Sequence, residues 1–103
     1  MKSSSKRIQQ EAERGSMVQI LVEWRMEWMP VGELRLHVLR RAGYRLSEEE
    51  LKFHLNYLEG KGYVETKQLR APRAGLELMA VRATARGVDL AEGRIAGHAG
   101  VEL

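Results

Sequence analysis

The stretch LSEEELKFHLNYLEGKGYV, residues 46–64, decides how the chain folds. Ser47 is a natural N-cap, because its hydroxyl accepts from a first-turn N–H that has no partner inside the helix. Glu50, three residues on, completes a capping box. Leu51, Leu55 and Leu58 recur at helical spacing and build one apolar stripe. Gly60 and Gly62 supply the stop, since glycine takes the left-handed conformation at a helix end without steric cost. Tyr63-Val64 then opens a strand. The order helix, glycine, strand divides the chain into supporting helices before it and a hairpin with a closing helix after it.

Working back from Ser47, Glu33 to Ala42 reads as a helix with Leu34, Val38, Leu39 and Ala42 inward, stopped by Gly43. Pro30 breaks whatever precedes it, because proline restricts its neighbour and donates no hydrogen bond. From Lys6 to about Met29 the pattern is helical, with Gly15-Ser16 marking two helices or a kink. Met17, Leu21, Trp24 and Trp28 fall at spacings of three and four, and the two tryptophans share a face one turn apart. That face is either core or core extended into a homodimer contact. Residues 1–5 are expected as a frayed, disordered N-terminus.

Working forward, Val64 to Leu69 and Leu76 to Arg82 are rich in strand formers, and Arg70 to Gly75, with Pro72, reads as the hairpin tip. Thr84 caps a last helix from Ala85 to about Ile95, with Val88, Leu90 and Ala91 as its apolar positions. The domain therefore spans 6–96, and 97–103 is expected as a flexible tail. The predicted class is mainly α with a small β-hairpin, in the order α-α-α-β-β-α.

With 103 residues, 44% hydrophobic and 30% charged, the chain supports one modest core. The absence of cysteine removes disulfides and thiolate chemistry and fits a reducing cytoplasm. No stretch approaches the ~20 apolar residues of a membrane span, and the basic start lacks an apolar run, so a cytoplasmic location is expected. Seventeen basic residues against fourteen acidic give +3. Between Lys67 and Arg86, however, Lys67, Arg70, Arg73, Arg82 and Arg86 face Glu77 alone. That hairpin suits phosphate, since each neutralised phosphate releases counterions. It equally suits a solvated turn.

The chemistry of catalysis is not assembled. His37, His54 and His98 share no metal spacing, Gly60-Lys61-Gly62 lacks the remainder of a phosphate loop, and Asp89 is the single aspartate. No enzyme activity, metal or cofactor is expected.

Helix, helix, helix, strand, basic turn, strand, helix is the winged helix-turn-helix order. SEEELKFHLNYLEGKGYVE resembles the recognition-helix segment of bacterial winged-helix repressors of the arsenic-responsive and multiple-antibiotic-resistance types. ATARGVDLAEGRI resembles their closing helix. More narrowly, GVDLAEGRIAGHAGV is similar to the tail of small winged-helix proteins of Mu-like phages and prophages. The resemblance implies a dimeric, duplex-DNA-binding regulator. Its groove-facing residues would be Glu48, Glu49, Lys52, Phe53 and Asn56, and its wing residues Lys67, Arg70 and Arg73. It implies pairing through the first and last helices, which would place Met17, Leu21, Trp24 and Trp28 in the dimer contact. The chain departs from the family at Glu48-Glu49-Glu50: negative charge favours a helix start but repels a phosphate backbone. The alternative is a winged helix serving as a protein-interaction module in a phage assembly, contacting its partner through Phe53 and Tyr57.

Overall fold

Residues 46–64 adopt the expected local structure. In the computed structural model, which describes residues 2–69, 78–97 and 100–103, helix α3 spans Glu48–Gly60. Both arms of the capping box form: the Glu50 N–H donates to Ser47 Oγ at 3.1 Å, and the Ser47 N–H donates to Glu50 Oε1 at 3.0 Å. Leu51, Leu55 and Leu58 are buried. Gly62 then takes φ 81°, a left-handed value, and the chain turns so that the Tyr63 N–H returns to the Leu58 carbonyl at 3.0 Å.

The remaining elements are α1 (Lys2–Glu23), β1 (Met29–Pro30), α2 (Val31–Ala42), β2 (Val64–Leu69), β3 (Leu78–Ala83) and α4 (Ala85–Ala91). Four helices and a three-stranded antiparallel sheet, in the order β1-β3-β2, make a small, mostly helical fold among the described residues. β2 has the predicted bounds; β3 ends one residue later than predicted. The observed order differs from the prediction by β1, where Met29 pairs with Val81 and Pro30 with Ala80. Proline is tolerated there because β1 is an edge strand that ends at once in a helix start, and its φ of −56° suits the residue before α2. α2 accordingly begins two residues earlier than expected. It stops at Gly43 (φ 76°), whose N–H returns to the Leu39 carbonyl at 2.9 Å, but Ala42 is exposed rather than inward.

α1 corrects the sequence reading in three ways. It starts at Lys2, so part of the stretch expected to fray is helical. It runs unbroken through Gly15-Ser16, and Gly15 is there for space: a Cβ would lie 1.5 Å from the Glu102 carbonyl oxygen. Finally, it ends at Glu23 rather than near Met29, in a turn where Arg25 and Met26 both adopt φ 61°. Non-glycine residues in this region cost on the order of 1 kcal/mol each. The turn reverses the chain so that Met29 is buried in the sheet. Trp24 and Trp28 therefore do not share a helix face.

The core joins Met17, Val18 and Leu21 of α1 with Leu34, Val38, the α3 leucines, Val64, Val81 and Leu90. α4 is shorter than predicted, ending four residues before Ile95, and buries Leu90 with Val88 and Ala91 half-buried. Thr84 caps it as expected, accepting from the Gly87 N–H at 3.1 Å. The end of the chain was expected to lie loose; instead Val101 is only 4% exposed, and the Glu102 N–H donates to the Glu11 carbonyl at 3.0 Å. Val101 and hydrogen bonds to α1 seat this segment together, and Gly15 leaves α1 open to its close approach.

Candidate nucleic-acid interface

The leucine stripe fixes which side of α3 is free. With Leu51, His54, Leu55 and Leu58 turned inward, Glu48, Glu49, Lys52, Phe53 and Asn56 all emerge on the exposed side. The structure thus brings the five predicted groove-facing residues onto one ridge. Beside the ridge is a cleft of about 520 Å³, bordered by Glu48 and Lys52 on α3, Glu33 and Arg35 on α2, and Met79 on β3. Its floor is apolar, formed by Val31, Leu51 and Leu55. The start of α2, the ridge and the hairpin therefore converge on one concavity.

The predicted wing residues do not join that concavity as a group. Arg70, Arg73 and the whole hairpin tip lie outside the described residues, as does His98. Lys67 pairs in register with Ala80 and Gln68 with Met79, so Lys67 projects from the sheet face opposite the one that lines the cleft. There its ammonium sits 4.4 Å from the Trp28 ring centroid, and the Arg82 guanidinium sits 4.5 Å from the same ring. Arg82 also pairs with Glu65 at 2.8 Å.

The predicted dimer contact is corrected at two positions. Met17 and Leu21 are fully enclosed in the core and cannot reach a second copy. Helical spacing alone did not distinguish an inner from an outer apolar face on α1, because α2, α4 and β3 all pack on it. Trp28 is half-buried under its two cations, while Trp24 remains 39% exposed and tilts against His37 at 5.7 Å. Phe53 is 52% exposed, with the Arg14 guanidinium 5.4 Å from its ring. Tyr57 is half-buried, and the same guanidinium lies 3.9 Å from its centroid.

Arg14 belongs to a buried polar cluster that the sequence reading missed. Its Nε–H donates to His54 Nδ1 at 3.1 Å, and one terminal nitrogen donates to the Gly100 carbonyl at 3.0 Å. Because Nδ1 accepts, the His54 proton resides on Nε2, which donates to Glu13 Oε1 at 2.8 Å. Gln9 closes the chain by donating to Glu13 Oε2 at 3.1 Å. Burial holds the imidazole below its usual pKa and Arg14 acts in the same sense, while Glu13 and, more weakly, Glu50 oppose them. One signal for this cluster was present: Arg14, Met17 and Leu21 are spaced by three and four, so a charged residue occupies the apolar stripe. Among the described residues no group of three or more acidic or histidine side chains is arranged to hold a metal.

No protein-family model, curated protein or solved structure matches the chain. The site therefore rests on its own geometry: an exposed polar ridge on a rigidly capped helix, a cleft beside it and cations held on the hairpin. No described helix is long and apolar enough to cross a membrane.

Proposed function

We propose that the chain is a winged helix-turn-helix protein that binds duplex DNA, a regulator of phage or prophage type. The observation that carries this reading is the succession of α2, a short turn, and the capped α3 with its polar ridge exposed, followed directly by an antiparallel hairpin. Lys52 and Asn56 are the residues suited to base edges: lysine donates to guanine, and asparagine pairs with adenine through two hydrogen bonds. Glu48 and Glu49 accept from cytosine N4 or stand clear of the backbone, and they set a limit on affinity rather than supplying it.

A second copy pairs under this reading through the turn after α1, where Trp24 and Met26 are exposed. The alternative reading, a protein-interaction module in a phage assembly, draws on the exposed Phe53 beside Glu48 and Glu49. Selection from a pool of randomised duplexes separates the two. A DNA reader enriches a motif, and Asn56→Ala weakens binding to that motif by roughly 1–3 kcal/mol while relaxing one base position. A selection that enriches no sequence contradicts base reading by the ridge.

A further inference from the structure

Residues 100–103 lie across α1 as a short strap held at a few points. Val101 supplies a buried side chain, the Glu102 N–H donates to the Glu11 carbonyl at 3.0 Å, and Arg14 donates to the Gly100 carbonyl at 3.0 Å. Of these anchors, Arg14 answers to a titratable neighbour. Its buried guanidinium is fixed between the strap, the Tyr57 ring at 3.9 Å and His54 Nδ1, which accepts its Nε–H at 3.1 Å. His54 can hold it only as a neutral imidazole with a lone pair on Nδ1. A protonated ring carries N–H on both nitrogens, so at Nδ1 a donor would face a donor and two positive charges would meet in a buried place. Either α1 and α3 separate, which opens the leucine core, or Arg14 leaves, which costs the Gly100 bond and the seat of Val101. The far side of the ring favours the second course. Glu13 Oε1, 2.8 Å from Nε2, is a counter-ion for the imidazolium, and Gln9 holds it there whether or not Arg14 stays. The remaining charged groups near the ring are Glu50 on its own helix, with Lys6 of α1 and Glu49 of α3 bordering the same groove. Burial and Arg14 keep the ring neutral, against Glu13 and Glu50. Lifting the strap lets Arg14 swing out and water reach Nδ1, so both of the opposing influences weaken together.

We propose that His54 gates the strap: protonation of its imidazole expels Arg14 from beneath residues 100–103 and releases them from α1, while the packing of α1 on α3 stays intact. The release bares Gly15 and the seat of Val101. It does not depend on what the α3 ridge binds. The closed strap favours the neutral ring and the open strap the charged one. Opening therefore increases as pH falls below 6.5, by at most about tenfold per pH unit for a single proton.

Linkage makes the test reciprocal, because whatever proton binding does to the strap, the strap must do to proton binding. Nuclear magnetic resonance follows the His54 ring and the Glu102 amide of the whole protein together. Protection of the Glu102 amide, taken against its intrinsic exchange rate at each pH, is expected to fall roughly tenfold between pH 7 and pH 5. It should lie below the protection of α3 amides such as Leu55 throughout, which marks a local opening rather than unfolding. His54→Gln should hold Glu102 protection level over the same interval. Conversely, Gly15→Ala, which lifts the strap by steric contact, should move the His54 titration midpoint up toward 6.5. Val101→Ser reads the same shift if Gly15→Ala folds poorly. Three results would overturn the gate: Glu102 protection that ignores pH, Glu102 opening only together with Leu55, or a His54 midpoint unmoved once the strap is lifted.

Discussion

At the scale of single residues, His54 carries a clear pH dependence. The folded state holds its imidazole neutral, because Nδ1 is occupied by the Arg14 N–H and burial disfavours charge. The unfolded chain titrates at the ordinary value of 6.5, so below that pH the unfolded state binds more protons. Stability from this site is complete above pH 6.5 and is lost as pH falls through 6.5 toward the depressed folded value. Urea unfolding between pH 8 and pH 5 should show this fall, and His54→Gln, whose amide can both accept from Arg14 and donate to Glu13, should flatten it. A wild-type curve that stays level over that interval contradicts the neutral assignment. Glu50 acts in a different window: its carboxylate is stabilised first by the Ser47 backbone N–H, and that contribution disappears only as pH falls below 4.5. Glu48 and Glu49 set two effects against each other. Glu48→Gln/Glu49→Gln should lower helix stability by ~0.3–1 kcal/mol per charge at low salt, through loss of favourable charge at the α3 start, and should tighten duplex binding. Weaker or unchanged binding would place these carboxylates in a role other than backbone repulsion.

At the scale of elements, the close crossing of the chain's last residues over α1 depends on Gly15. Gly15→Ala would push a methyl group into the Glu102 carbonyl, and the last residues must lift to accommodate it. The expected cost is ~1–3 kcal/mol, with loss of hydrogen-exchange protection at the Glu102 amide and none in α3. Full protection at Glu102 in the variant would contradict the crossing. This contact also marks where sequence reading ran out. α2, α3 and β2 were legible because their signals are local: a capping box, a leucine stripe, glycine stops and alternating strand formers. β1 was not, since two residues with a proline carry no period and are defined only by their partners Val81 and Ala80. Gly15 looked like a helix break because a glycine tolerated for tertiary close approach has the same local signature as one that ends a helix. The ridge residues were implied by the winged-helix resemblance, and the buried leucine stripe turns all five of them outward. The face occupied by Lys67 followed only from register, which sequence does not fix without knowing which side of the sheet is buried.

At the scale of the whole molecule, exposed apolar side chains are spread over several elements, and Trp24 and Met26 form the pair in the turn that follows α1. If copies pair through Trp24 and Met26, then Trp24→Ser/Met26→Ser should give a monomer by sedimentation with its thermal unfolding little changed. Substituting Met17 should instead unfold the protein, because that side chain is core. A double variant that sediments like wild type would move the contact elsewhere. The central claim, that this fold binds duplex DNA, is tested most directly by equilibrium binding of the wild-type protein to duplex as salt is raised. The account predicts measurable affinity at low salt that falls steeply and linearly on logarithmic axes, with a slope of about 0.9 per phosphate contact. No detectable binding at low salt would contradict it.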